Sequence, residues 1–231
     1  MRDLRLRSRE AEQMDDAELG ARDYAAVLAD LGKVNRWTLA ARPTLAFLDS
    51  AIGQARHFRL LDVGFGDGGM LRAVADWAWR RKIDAELVGV DLNPKSEGVA
   101  RAATSPGVRI DYRTGDYRDQ QGPWDFVISS LVAHHMAEDE LIGFLRFMEA
   151  EARRGWFVND LHRHAFAYQG YPLLARLLRT HPIVREDGRL SIARSFRPAE
   201  WAVILAAAGV PRGAARIYRT FPFRLCVARQ R

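Results

Sequence analysis

Between Phe58 and Gly69 the chain reads FRLLDVGFGDGG, an apolar strand pattern running into four glycines within six residues. A helical apolar spacing begins at once behind it, with Met70, Leu71, Val74, Ala75 and Ala78 on one face. The glycines at 64, 66 and 69 satisfy the pattern G-x-G-x-x-G. Strand, glycine turn and helix in that order let the backbone approach a ligand closely at the mouth of a parallel sheet. No other stretch constrains the fold as strongly.

The alternation continues downstream. AELVGVD (85–91) is a second strand, 94–103 a short helix, and VRIDYRTGD (108–116) a strand with one wetter face. WDFVISS (124–130) and GWFVNDL (155–161) are buried strands on either side of a helix over 139–153. Strands separated by helices imply right-handed crossovers and a parallel sheet covered on both faces. The end breaks this rhythm. Pro198 suits a first helical position and Gly209 a stop, which predicts a helix over 198–208. ARIYRT and FPFRLCVAR then follow with only a tight break, and strands that close can pair only as an antiparallel hairpin. The expected fold is α/β: a doubly wound, mostly parallel, seven-stranded Rossmann-like sheet ending in an antiparallel hairpin. Helical spacing over 15–55 adds an N-terminal helical extension, so residues 1–57 read as a cap and 58–231 as the main domain. An apolar insertion at about 161–197 contains AFAYQGYPLLARLLR (165–179), which with the N-terminal helices can roof a cleft for an aromatic or lipid-like molecule.

Composition removes several alternatives. The net charge is +6, but the basic residues are almost all arginine, with lysine only at 33, 82 and 95, and form no block of the kind a nucleic-acid-binding arm shows. A small-molecule partner is expected and a nucleic acid is not. Cys226 is the one cysteine, lies in an apolar alternation and has no internal partner, which fits a reducing, cytoplasmic setting. The first sixteen residues are charged throughout, without the apolar core of a signal peptide, and no apolar run reaches the ~20 residues of a membrane span.

The acids around the loop discriminate between ligands. Asp62 ends the first strand, Asp67 lies in the loop, Asp91 ends the second strand and Asp116 follows the third. A strand-end carboxylate such as Asp91 can take two ribose hydroxyls, as in NAD or in S-adenosylmethionine. A pyrophosphate beside Asp62 and Asp67 would meet like charge, at a cost on the order of 4 kcal/mol for a pair 4 Å apart at an effective dielectric of ~20. S-adenosylmethionine has no phosphate and carries a sulfonium and an ammonium, for which these acids are an attraction. Asp116 can accept from an adenine amino group.

LLDVGFGDGGM, GVDLNP, TGDYRD and WDFVISSLVAHHM resemble, in order, the motifs of class I S-adenosylmethionine-dependent methyltransferases. The resemblance spans about residues 58–160, and the terminal hairpin agrees with that fold. It implies that Asp62 and the loop Gly64, Gly66 and Gly68 hold the methionine end of S-adenosylmethionine, that Asp91 holds the ribose, and that Asp116 and Tyr117 frame the adenine. Leu92 and Ser129 complete the implied cofactor-binding set. SLVAHHM is similar to a segment of ubiquinone- and menaquinone-type and other small-molecule methyltransferases. NDLHRH and SIARSFRPAEW resemble secondary-metabolism methyltransferases acting on polyketide or phenolic acceptors. Phe65 stands where that family usually has a small residue or cysteine.

Methyl transfer to a hydroxyl needs the acceptor in line with the sulfonium and a base for its proton. The loops after the fourth and fifth strands hold the densest histidines, His134 and His135, then His162 and His164 with Asn159 and Asp160. His135, His134 and His162 are the candidate bases, in that order, and Asp160 is the expected partner that fixes an imidazole tautomer. Adjacent residues of a turn are expected to point apart, leaving only one of His134 and His135 facing the cleft. Asn159-Asp160 matches part of the metal set of catechol-type enzymes, but no acid follows the fourth strand, and no metal is expected. Two rivals remain. A nucleic-acid methyltransferase would show an N-P-P-Y-like clamp where this chain has SSLVAHHM, and a cofactor-binding protein without turnover would keep the same acids.

Overall fold

The computed structural model describes residues 3–231. Helices α1 (Ala21–Trp37) and α2 (Arg42–Ala51) precede strand β1 (His57–Val63), helix α3 (Gly69–Arg81), strand β2 (Asp84–Asp91), helix α4 (Pro94–Ala103) and strand β3 (Asp111–Thr114). Strand β4 (Trp124–Ser130), helix α5 (Glu138–Glu151) and strand β5 (Ala152–Leu161) follow. Helices α6 (Ala165–Leu177), α7 (Pro182–Arg194) and α8 (Pro198–Ala207) then lead to the hairpin β6 (Ala215–Thr220) and β7 (Arg224–Gln230).

The sheet order is β3-β2-β1-β4-β5-β7-β6, with β7 antiparallel to both β5 and β6 and every other pairing parallel. The chain reverses its winding between β1 and β4, and a ligand crevice opens beyond the carboxyl ends of the strands at such a reversal. Two apolar cores flank the sheet. One packs Trp124, Leu141, Phe144, Trp156 and Trp201 against α5 and α8, and the other packs Phe47, Phe58, Phe126 and Phe157 under α2 and α3. Strands buried on both faces explain why β1, β4 and β5 read as nearly continuous apolar runs.

Two expectations are corrected. The strand expected over 108–116 pairs only over Asp111–Thr114, because its one neighbour is β2 and the register runs Val88↔Asp111 to Asp91↔Thr114. The segment 165–179 forms most of helix α6, whose pattern Gly170 and Pro172 interrupt. A further helix, α7, starts on Pro182 at its first turn and carries buried Asp187, Ser191 and Arg194. Phe166, Leu173 and Leu177 of α6 face solvent, so the apolar roof comes from elsewhere. Cys226 is fully buried, and burial pushes its thiol up to about 11, as suits a packed residue.

Candidate active site

The crevice at the carboxyl ends of β1, β2 and β4 is a cleft of about 720 Å³, within the usual range for a small-molecule pocket. Its floor is the glycine loop. Gly64 has φ +77°, and a Cβ there would stand 2.3 Å from Val132 Cγ2, so only glycine lets the loop pass under the turn after β4. Gly66, at φ +55°, would meet nothing nearer than Leu28 at 3.8 Å, which leaves its backbone open to a ligand.

Asp62 lies beneath that loop, 2 % exposed, and lines the adjoining pocket of about 770 Å³, which shares Gly64, Phe65, Asp67, Ser130 and Leu131 with the cleft; its Oδ1 has no hydrogen-bond partner. Burial, then Asp91 and Asp67, push its carboxyl up to about 8. Asp91 accepts from the Gly66 N–H and the Asn93 N–H, both at 2.9 Å, and so ties the second strand end to the loop; burial still raises its pKa. Asp67 is not the free loop acid its position suggests. It accepts from the Gly69 N–H at 2.9 Å and pairs with Arg72 at 3.1 Å, at the start of α3.

Leu92 and Tyr117 line the cleft, as does Gly115. Asp116 instead accepts from the Arg118 N–H at 2.8 Å and forms an ion pair with that guanidinium, outside the lining. Ser129 is buried and donates to the Val63 carbonyl at 2.9 Å, and Ser130 takes the place at the cleft wall. Neither Asp116 nor Ser129 faces the cavity.

The histidines divide in the same way. His134 and His135 sit on a 3-10 turn, Ala133–His135, and both line the cleft. Their rings lie side by side at a 40° tilt, with centroids 4.3 Å apart, so the expectation that only one would face inward does not hold. Both rings turn toward the same carboxylate, Glu12, at 3.7 Å from His134 Nε2 and 3.9 Å from His135 Nε2. His134 Nδ1 lies 2.7 Å from Asp160, and His135 Nδ1 lies 2.9 Å from Asp15. A carboxylate only accepts, so each Nδ1 carries the hydrogen and each Nε2 presents a lone pair. Asp160 is thus the tautomer-fixing partner of His134, and Asp15 fills that place for His135. His162 is outside the cleft: its N–H donates to the Phe223 carbonyl at 2.9 Å and its ring lies beside His164. Asn159 donates to the Ala40 carbonyl at 2.7 Å and is bound into the connection between α1 and α2.

Glu12 and Asp15 carry no motif that would mark them in the charged N-terminal stretch. Backbone N–H groups of Gln13 and Met14 donate to Asp187, and the Ser191 hydroxyl donates to Glu12 at 2.8 Å, which pins this segment over the cleft against α7. Burial pushes the Glu12 carboxyl up to about 7, against the pull of His135 and Arg194. Arg194 gives its donors to the carbonyls of Glu10, His134 and His135 at 3.0–3.1 Å and so fixes the turn. Leu28, Leu31 and Val34 of α1, with Met14, Met136 and Ile192, form an apolar wall facing these acids, and Tyr171 is the one residue of the expected α6 roof that reaches it. Among the described residues no helix is long and apolar enough to cross a membrane.

Residues 60–155 match a family model described as a methyltransferase domain. The fold is shared with solved methyltransferases at low identity. Magnesium protoporphyrin IX methyltransferase of Synechocystis PCC 6803, with bound SAH, is 18 % identical with a TM-score of 0.58, covering 94 % of this chain and 90 % of that one. Human N-acetylserotonin methyltransferase, in complex with SAM, is 16 % identical with a TM-score of 0.63; the match covers 92 % of this chain and 56 % of that one. The plantazolicin methyltransferase BpumL, in complex with a pentazolic desmethylPZN analog and SAH, is 12 % identical with a TM-score of 0.63, covering 90 % and 91 %. No curated protein matches the sequence.

Proposed function

We propose that this chain is a class I methyltransferase and transfers the methyl group of S-adenosylmethionine to a small, ring-containing molecule bound under α1. The observation that carries the reading is Asp62, a buried carboxylate with an unpartnered oxygen at the floor of the glycine loop. An ammonium placed there supplies both the missing hydrogen bond and the opposite charge, and a pyrophosphate supplies neither. The donor set therefore fits S-adenosylmethionine and does not fit NAD, although Asp67 adds less to that contrast than its sequence position suggests, being paired with Arg72.

Within this reading Asp62 and the Gly64–Gly68 turn hold the methionine end, Asp91 takes ribose hydroxyls, and Leu92 and Tyr117 flank the adenine. S-adenosylmethionine, when bound, supplies a methyl carbon on a positively charged sulfonium. The chain contributes position and dryness: α1 and the N-terminal segment cover the cleft and exclude water around the acceptor. The named acceptors of the similar structures, a metalloporphyrin, N-acetylserotonin and plantazolicin, are small molecules with rings, which agrees with the apolar wall of Leu28, Leu31 and Val34. A phenolic or polyketide-like hydroxyl set against that wall points its oxygen at His134 and His135, and O-methylation with proton loss at this pair is the form of the reaction we propose. His162 has no part in it.

Calorimetric titration with S-adenosylhomocysteine and with NAD, followed by mass spectrometry of a phenol panel incubated with S-adenosylmethionine, tests the reading. It expects binding of the first and none of the second, and a methylated product. Binding of NAD in competition with S-adenosylhomocysteine would overturn the cofactor assignment.

A further inference from the structure

The arrangement of Glu12, His134 and His135 points to a use that hydrogen bonding does not explain. Their ligand-type atoms all lie within 4.8 Å of one another. The gaps of 3.7 and 3.9 Å from the two Nε2 atoms to the Glu12 oxygens are too long for hydrogen bonds, so the three groups converge without bonding. Glu12 is 3 % exposed, and its Oε1 has no hydrogen-bond partner. An ion about 2.0–2.2 Å from each ligand separates those ligands by roughly 3–4 Å, which matches the two gaps to Glu12.

The surroundings match as well. A metal-bound histidine almost always gives its other N–H to a carboxylate, a carbonyl or a water, which fixes the tautomer and raises the ring's basicity. Both histidines here do so, His134 to Asp160 and His135 to Asp15. Both contacts leave Nε2 facing Glu12. Arg194 approaches Glu12 Oε1 only to 3.8 Å, and its donors are taken by three carbonyls. Arg7 likewise donates to the carbonyls of His134 and Met136, so the guanidinium groups brace the turn from behind.

We propose that Glu12, His134 and His135 form a divalent transition-metal site in the wall of the cleft, with Asp15 and Asp160 as its outer carboxylates. Two imidazoles and one carboxylate favour Zn²⁺, Fe²⁺ or Co²⁺ over Mg²⁺, which prefers oxygen ligands and keeps its water. Three protein ligands leave positions open toward the cleft. In the proposed methyl transfer, an ion held there would acidify a hydroxyl at an open position; its proton would pass to water as the oxygen takes the methyl, and the two imidazoles would hold the ion in place of the base role given them above. That consequence rests on the proposed function, whereas the site itself rests only on the residues named. The sequence expectation of a metal-free site came from the lack of an acid after β4. Here the acid arrives from the N-terminal segment.

The test is a titration of the chelator-treated full chain with Co²⁺, followed by visible absorption and by competition with Zn²⁺. The wild type is expected to take one equivalent with ligand-field bands that Zn²⁺ abolishes. Glu12→Gln keeps an oxygen for Ser191, and His135→Gln lies on a half-exposed turn; each should weaken Co²⁺ binding at least tenfold. Asp15→Asn, which touches no ion directly, should weaken it about 10–100-fold, an effect that a surface ion pair would not produce. A wild type with no spectral change on adding Co²⁺ overturns the proposal, as does a Glu12→Gln variant that binds as tightly as wild type. The same preparations are titrated with S-adenosylhomocysteine. Loss of that binding alone counts against the methyltransferase reading and leaves the metal site standing.

Discussion

Asp160 grips His134 at two points: one carboxylate oxygen accepts from its backbone N–H at 2.8 Å and the other lies 2.7 Å from Nδ1. Both residues are buried; burial works to raise the Asp160 carboxyl, but the hydrogen bonds from His134 and from the Leu161 N–H hold it below the ordinary range. One side chain at the end of β5 therefore fixes both the turn after β4 and the tautomer of the ring that turn presents.

Asparagine at 160 keeps the volume and can still accept from the backbone, but its amide meets Nδ1 with a donor where the ring needs an acceptor. His134 would then carry its hydrogen on Nε2 and lose the lone pair aimed at the cleft. Asp160→Asn is expected to lower turnover about 10–100-fold with S-adenosylhomocysteine affinity unchanged. Asp160→Ala leaves the imidazole buried and unpaired and should cost about 3–5 kcal/mol in denaturant unfolding. Activity within a few-fold of wild type in the asparagine variant would show that the tautomer of His134 does not matter.

Asp62 makes the ligand-free protein sensitive to alkali. Its folded pKa, about 8, lies above the ordinary value of 3.8, so between those limits the native state keeps a proton that the unfolded chain has lost. Stability from this group is complete below about pH 4 and declines as the pH rises toward 8, by up to about 6 kcal/mol at 1.36 kcal/mol per unit. Asp62→Asn should flatten that decline and raise the melting temperature at pH 8, while abolishing cofactor binding. In the wild type, an ammonium seated on Asp62 favours the anion, so binding of S-adenosylhomocysteine near pH 7 should release a proton. Calorimetry in buffers of different ionisation enthalpy measures it.

The convergence of the glycine loop and the strand-end acids was legible because its signals are local. The strand-turn-helix pattern, the glycines and the acids Asp62 and Asp91 each sit within a few residues of a strand end, and a parallel sheet brings strand ends together. Asp67 and Asp116 carried the same signal yet are engaged by nearby arginines, Arg72 and Arg118, which motif spacing does not reveal. The acceptor side was not legible. Its carboxylates come from Glu12 and Asp15, and the His135–Asp15 contact joins residues 120 positions apart. Nothing periodic marks such a contact, and it exists only once α7 has offered Asp187 and Ser191 to the N-terminal segment. The solvent-facing Phe166, Leu173 and Leu177 misled in the other direction, since an apolar helical stripe does not say which face it covers.

Asp91 is a structural residue of the loop as well as the proposed ribose ligand. Removing its carboxylate strands the Gly66 and Asn93 N–H groups, each otherwise bonded at 2.9 Å. Asp91→Ala is expected to bind no cofactor. With these two bonds in place it should also lose about 1–3 kcal/mol of stability. Asp91→Asn, which keeps one acceptor, should retain most of that stability and still bind S-adenosylhomocysteine at least tenfold more weakly. Equal affinity in the asparagine variant would place the ribose elsewhere.

His162 supplies the contrast to His134 and His135. It follows β5 closely enough to count as a base by position, but its ring is buried beside His164, away from the cleft. Burial, followed by the charge of Arg219, pushes its pKa down to about 4, so the ring is neutral through the physiological range. Because the unfolded chain binds that proton near pH 6.5, stability from His162 is complete above 6.5 and is lost as the pH falls toward 4, by at most about 3 kcal/mol. His162→Ala should therefore reduce the acid sensitivity of unfolding between those values. Its turnover at neutral pH should stay within about twofold of wild type, because no acceptor in the cleft reaches this ring. A hundredfold loss of turnover in a variant that still binds S-adenosylhomocysteine would return His162 to the reaction and move the acceptor toward the β6–β7 turn.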